Sequence, residues 1–399
     1  MTTVCKIFNI DDKLERRKAL IKFFNKIKTS SSEENLENST QLSLIQFVSF
    51  YCVKTNSGKV ELAKRILNDI YQVVYNSFDG TVTLTFGDVA ESHVGMQKIG
   101  SMDEKGFSLE DLTKVKVYFD SKNIESKIIH LNNFLPVNYD EDDCKEKREL
   151  ELARSDPNKQ AYVLIVRGGV GELTNSINGN SLLTEVLFYH WDNKLYNTRR
   201  KVVQNKLARS NLNFSDKRQV SDFENGKGTT ISFSDVPILN DLRSKLANII
   251  GSSASDLKCE GNLYNLNKQA SKATGIGYHG DTERRKVIGC RLGNNSMNMH
   301  FMWYYNNLPR GLNVSFTLNP GDMYMMSEKT VGTDWRPNRD MGWYSKSYVL
   351  RHAAGAAKYT SKTAAIKLDK PFNWDEDCDI HLSSINHRKK GKEWVKMPQ

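Results

Sequence analysis

No stretch of this sequence approaches the roughly 18 consecutive apolar residues that a membrane span requires, so a helical membrane protein is not expected. The opening residues, Met1-Thr2-Thr3-Val4-Cys5-Lys6, lack the apolar run of a secretory signal. Cysteine is sparse and scattered, at Cys5, Cys52, Cys144, Cys259, Cys290 and Cys378, with no C-x-x-C pair. That pattern argues against a disulfide scaffold or a structural zinc site and for a reducing compartment. No internal repeat is visible. The glycines Gly168, Gly169 and Gly171 are not followed by the Gly-Lys-Ser/Thr of a phosphate-binding loop, which leaves a plain turn as their reading. These absences together point to an intracellular chain, cytoplasmic or nuclear, with no membrane partner.

What is present is enough for a core: 39% hydrophobic and 10% aromatic residues over 399 positions, which excludes a disordered chain. The net charge of +10, from 57 Lys and Arg against 47 Asp and Glu, favours polyanion partners, nucleic acid first. An ordinary basic protein would carry the same balance.

The length suggests two domains, or one with an extension. Apolar spacing predicts amphipathic helices over 11–28, 42–53 and 60–75. Alternation predicts strands at Gly80–Phe86 and Lys114–Phe119. The segment Asp140–Arg154, dense in charges of both signs, reads as a solvated helix or linker, and Asp156-Pro157-Asn158 punctuates its end. The boundary is therefore placed there: residues 1–155 as an N-terminal mixed helical and strand extension, 156–370 as the main domain, 371–399 as a charged tail.

Within the main domain, Tyr162–Val166 reads as a buried strand. Pro237 opens a helix whose apolar residues include Leu239, Leu242, Leu246 and Ile250, and Gly251 stops it. Strand-like segments follow at Ile288–Leu292, Met297–Tyr305, Leu312–Leu318, Met323–Met326, Tyr348–Ala353 and Tyr359–Leu368. Asn319-Pro320-Gly321-Asp322 fits a type II turn between two of them. A helical layer followed by many short strands predicts an α+β fold whose strands form a sandwich or barrel.

The segment carrying chemistry is Gly277-Tyr278-His279-Gly280-Asp281. Alternate residues of a strand share a face, so His279 and Asp281 can point the same way. A distant histidine would complete a two-His-one-carboxylate set that suits Fe(II) and leaves positions open. His352, 71 residues beyond Asp281 at a strand end among small residues, fits that role best. His300, His381 and His387 are the other histidines downstream of Asp281, the last two beyond the last good strand. A core histidine beside a turn aspartate is the bland alternative. Asp322 and Glu283 have structural readings, as a turn residue and a surface residue.

The order of an Ile-Gly-x-His-x-Asp opening, a Leu292-Gly293 strand end, a Gly321-Asp322 turn into an apolar strand ending Met326-Ser327, and a distal His resembles the AlkB-like branch of the Fe(II)/2-oxoglutarate oxygenases. The resemblance covers residues 160–368. It implies a double-stranded β-helix (jelly roll) with packing helices, a catalytic iron on His279, Asp281 and His352, and 2-oxoglutarate and O2 as co-substrates. Decarboxylation of 2-oxoglutarate to succinate then drives oxidation of a substrate C–H bond. The family's far-carboxylate cation follows the distal His, where this chain has no Arg before Arg388. Lys362 and Lys358 are the replacements, and Arg291 is another route because a buried Arg needs an anionic partner. Asn262-Leu263-Tyr264 resembles the family's Asn-x-Tyr co-substrate motif, although it lies 17 residues before His279, a longer gap than usual.

Six cations fall between Lys194 and Arg209: Lys194, Arg199, Arg200, Lys201, Lys206 and Arg209. Trp191, Tyr196 and Phe214 are interleaved or adjacent. Cations for phosphates and aromatics for bases are what single-strand or flipped-base recognition needs, and in AlkB-like enzymes this segment forms the nucleotide lid. Oxidation of a nucleobase is the leading expectation, with Trp191, Tyr196, Arg199, Arg200 and Lys201 contacting substrate. A protein side-chain hydroxylase meeting an acidic partner, or a non-catalytic jelly roll, are the alternatives.

Overall fold

The computed structural model describes residues 78–136, 144–206, 209–264, 275–335 and 347–355, with three short strands beyond them. In chain order the strands are β1 (Thr81–Gly87), β2 (Val89–Glu91), β3 (Lys98–Gly100), β4 (Ser126–His130), β5 (Tyr162–Val166), β6 (Lys194–Asn197), β7 (Val202–Asn205), β8 (Ser210–Ser215), β9 (Thr230–Ser232), β10 (Lys258–Tyr264), β11 (Gly275–His279), β12 (Val287–Gly293), β13 (Met297–Tyr305), β14 (Leu308–Leu318), β15 (Met323–Met326), β16 (Val349–Gly355), β17 (Phe372–Asn373), β18 (His387–Lys390) and β19 (Glu393–Lys396). The helices are α1 (Leu109–Asp120), α2 (Cys144–Ser155), α3 (Gly169–Thr174), α4 (Asn180–Leu187), α5 (Pro237–Ile250) and α6 (Glu328–Val331). Among the described residues no helix is long and apolar enough to cross a membrane.

An eight-stranded sheet runs β4-β5-β15-β12-β1-β10-β8-β9, and a five-stranded sheet runs β11-β16-β13-β14-β17. Pairing is antiparallel except at β8–β9 and β14–β17. The fold is thus mixed α+β, as expected, and its strands are mostly antiparallel.

Period-two alternation divides the large sheet into two faces. Val82, Leu84 and Phe86 of β1, Ile288, Cys290 and Leu292 of β12, and Met323 and Met325 of β15 join α1, α4 and α5 in one core. Val163 and Ile165 of β5, Val287, and Tyr324 and Met326 pack instead against Phe301, Trp303, Val314, Phe316 and Leu350 of the small sheet. The layers are therefore helices, large sheet, small sheet. From β10 to β16 the chain alternates between sheets, with only β13–β14 remaining in one.

Two expectations need correction. Lys114–Phe119 is not a strand but the second half of α1, which buries Leu112, Val115 and Phe119 and starts with a reciprocal Ser108–Asp111 capping box. The local Lys-Val-Lys-Val alternation is overruled by the cap and the i, i+3, i+7 burial. The boundary at residue 155 also fails to divide the described residues. β1 is hydrogen-bonded between β10 and β12, β4 pairs with β5, and α2 is tied in through buried Glu146, which accepts from Arg310 Nε at 2.6 Å. The helices expected before residue 78, and the strand Tyr359–Leu368, lie outside the described residues.

The turn before β15 is as expected. Asp322 N–H donates to Asn319 O at 3.0 Å and Gly321 has φ +90°. The Asp322 carboxylate accepts from Asn319 N and Arg167 Nη1 and is a structural residue.

Candidate metal centre

β11 and β16 are neighbours, and their register sets His279 directly opposite His352. A register shift between Ile276 and His279 re-aims the end of β11, as bulges beside sites do. The two imidazole centroids lie 4.4 Å apart. Asp281, just past the strand end, turns its Oδ1 toward both rings, 3.4 Å from His279 Nε2 and 3.6 Å from His352 Nε2. One donor atom from each residue falls within 4.8 Å of the others. The three predicted ligands are therefore brought together from positions 71 residues apart.

Hydrogen bonding orients the His279 ring. Its Nδ1 is 2.7 Å from Gly277 O; an Nδ1–H donated there leaves the Nε2 lone pair facing Asp281 and His352. His352 is buried, and desolvation together with neighbouring His279 lowers its pKa. It is neutral near pH 7, the form that ligates metal. Burial alone would raise the Asp281 carboxyl, but the Arg284 guanidinium beside it holds it well below the usual range. Asp281 is placed by its own N–H, which donates to Val331 O at 3.0 Å. That contact requires Gly280, whose added Cβ would meet Gly332 O at 2.1 Å.

The face of the large sheet turned away from the helices carries Thr81, Thr83 and Thr85 on β1, Glu260, Asn262 and Tyr264 on β10, and Gly289 and Arg291 on β12. The helix-facing core takes up their alternate neighbours. Arg291 is almost wholly buried, and its partners are Thr83 Oγ1 at 2.9 Å, Asn295 O at 3.3 Å and Met297 Sδ at 3.5 Å, with Nε unpartnered. Desolvation pushes its pKa down to about 10. No carboxylate among the described residues balances it. Asn262 and Tyr264 share that face, but the Asn262 amide already accepts from Asn211 and donates to Glu260. Lys358 and Lys362 lie outside the described residues.

The basic segment divides. β6 and β7 form a hairpin whose exposed turn carries Arg199, Arg200 and Lys201, with Tyr196 half-buried on β6. Lys206 and Arg209 instead turn inward. Lys206 donates to Asn211 Oδ1 at 2.7 Å, and desolvation lowers it to about 8; Arg209 reaches His93. Trp191 is not a stacking platform. It is buried in the helix-facing core against Gly261, and its indole N–H donates to Val186 O at 3.1 Å. Sequence spacing could not distinguish an aromatic that binds a base from one that fills a core.

No family model matches the chain, and no solved structure matches it. A protein of Acanthamoeba polyphaga mimivirus, described only as uncharacterized, is 38% identical over 280 residues, which make up 70% of this chain and 97% of the viral protein. The chain belongs to that protein's family. Nearly the whole viral member is thus matched, so the shared unit is a large part of this chain rather than one motif.

Around the triad of this family member lie residues that motif reading missed. Glu283, expected at the surface, is buried and bonded to Arg284. Arg284 also reaches Glu260 and Asp281. The inward alternation Glu260-x-Asn262-x-Tyr264 was the available signal for Glu260. His93, 2.7 Å from Glu260 Oε1, had none, because it arrives on a loop far away in sequence.

Proposed function

We propose that this protein is an Fe(II)- and 2-oxoglutarate-dependent dioxygenase of AlkB-like type, built on a double-stranded β-helix, that oxidises a base of nucleic acid. The observation that carries the reading is the convergence of His279, Asp281 and His352. Two imidazoles and a carboxylate fit Fe(II) and leave coordination positions for a co-substrate and oxygen. The strand alternation between two packed sheets supports the fold assignment.

Arg291 is the favoured cation for the far carboxylate of 2-oxoglutarate. A guanidinium buried without an acid is costly, and a bound dicarboxylate would balance it. Thr83 holds its Nη1 in place, and Tyr264 adds a phenol on the same face. The iron, when bound, supplies oxygen activation coupled to decarboxylation of the co-substrate. The chain's residues fix the ligand geometry, keep His279 in the ligating tautomer and exclude water from the layer between the sheets. The exposed hairpin turn with Arg199, Arg200 and Lys201 would meet phosphates, which position a substrate without reading its sequence.

The test is metal analysis together with succinate formation, with and without single-stranded oligonucleotide. One Fe(II) per chain and oligonucleotide-stimulated succinate are expected. Asp281→Ala should lose both iron and turnover. Stoichiometric iron retained in Asp281→Ala would sink the assignment. Reversing Arg199, Arg200 and Lys201 to Glu should weaken oligonucleotide binding at low salt and leave the basal decay of 2-oxoglutarate unchanged.

A further inference from the structure

The two carboxylate oxygens of Asp281 have different environments. Oδ1 faces His279 and His352. Oδ2 faces the guanidinium Nε of Arg284 at 3.5 Å. Arg284 is buried and itself fixed by two other carboxylates: its Nη2 binds Glu260 Oε2, and its Nε–H is donated to Glu283 Oε1 at 3.0 Å, which leaves the Asp281 contact purely electrostatic. Glu260 sits on β10, in the other sheet from the triad histidines. It is held in turn by His93 at 2.7 Å, by the Asn262 amide at 2.9 Å and by the Glu91 N–H at 3.2 Å.

We propose that Arg284, clamped by Glu260 and Glu283, is a positioning residue whose charge, 3.5 Å from Asp281 Oδ2, draws that oxygen away from the histidines and so favours one-oxygen coordination of the metal through Oδ1. A carboxylate free at both oxygens can swing to bind a cation through two. That would consume a position that a co-substrate or oxygen needs. With Oδ2 drawn toward a guanidinium whose own place is set from β10, Oδ1 is the oxygen offered between the histidines, and the histidine sheet is coupled to the sheet carrying Arg291. Structural support of this kind typically contributes 10–100-fold to metal affinity.

The inference rests on the metal-centre reading, and the sign of one measurement tests it. Removing a cation beside a divalent ion would tighten binding through charge alone. Removing an orienting clamp weakens it. Mn(II) binding by titration calorimetry and the visible absorption of Co(II) should be compared in wild type, Arg284→Gln and Glu260→Gln, with near-ultraviolet circular dichroism confirming the fold. Arg284→Gln is expected to bind Mn(II) about 10–100-fold more weakly and to change the Co(II) band shape as Asp281 becomes free to coordinate through both oxygens. Glu260→Gln, which keeps Arg284 but loosens it, should shift both readouts in the same direction by less. It carries the test alone if Arg284→Gln does not fold. Unchanged or tighter Mn(II) binding with an unaltered Co(II) spectrum overturns the clamp while leaving the metal centre standing. A wild-type protein that binds neither ion overturns the metal centre and the clamp with it.

Discussion

Single residues in this protein are constrained most where two backbones or a backbone and a ring nearly touch. Gly280 lies against Gly332 O, and a methyl group there would sit at 2.1 Å, so α6 and the His279–Asp281 segment must separate to admit it. Gly280→Ala is therefore expected to displace Asp281 and cut Fe(II) affinity at least tenfold while the fold persists; titration with Fe(II) under anaerobic conditions checks this. Arg291 makes a second prediction. A charge-assisted hydrogen bond in a dry site is worth about 1.5–3 kcal/mol, and about 1.4 kcal/mol is a tenfold change. Arg291→Gln should thus raise the apparent KM for 2-oxoglutarate more than tenfold, with Lys362→Ala having a smaller effect. The reverse ranking, measured by succinate release, would move the carboxylate seat to Lys362.

At the scale of elements, α5 begins with Pro237 and no side-chain cap of its own. Its first free amides are met instead by α4: Glu185 Oε1 and Oε2 accept from Ile238 N and Leu239 N, each at 2.9 Å. A carboxylate at a helix N-terminus suits the exposed N–H groups and the helix dipole. Burial is the larger influence, however, and pushes the Glu185 carboxyl up to about 7 against those two hydrogen bonds. The folded chain then keeps this proton to about pH 7, whereas an unfolded carboxyl releases it near 4.5. The stabilisation is full below about 4.5 and lost as pH rises through 7, on the order of 3 kcal/mol across that window. The thermal midpoint of wild type should fall from pH 5 to pH 8 relative to Glu185→Gln, which cannot titrate. Parallel pH profiles for the two proteins would refute the assignment.

For the molecule as a whole, the consequential placement is β1 in the middle of the large sheet. It pairs with β10 on one side and β12 on the other, and Val82, Leu84 and Phe86 are fully buried. A chain starting at residue 156 would leave β10 and β12 with unpaired edges and an open core, a state prone to aggregation. Such a chain is expected to lack a cooperative thermal transition and to aggregate, whereas a chain starting at residue 78 should unfold cooperatively. Calorimetry of the two would decide, and a sharp transition from residue 156 onward would restore the boundary inferred from composition.

Much of this was legible in the residues themselves. The strand-like apolar runs of β12–β15, the Pro237 start and Gly251 stop of α5, and the Asn319–Asp322 turn are local patterns enforced by backbone geometry, so a linear reading finds them. The His279-x-Asp281 pair was legible for a similar reason, since His279 ends a strand and Asp281 follows two residues later. Tertiary structure alone decided what depends on contacts between distant segments. It placed His352 opposite His279, sent Trp191 into the core, turned Lys206 and Arg209 inward, converted Lys114–Phe119 from apparent strand to helix, and buried Glu260 and Arg284 together. A charged or aromatic side chain has the same local signature whether it faces solvent, a ligand or a buried partner. Its role is set by the free energy of desolvation and pairing, and that exists only once the sheets have closed on each other.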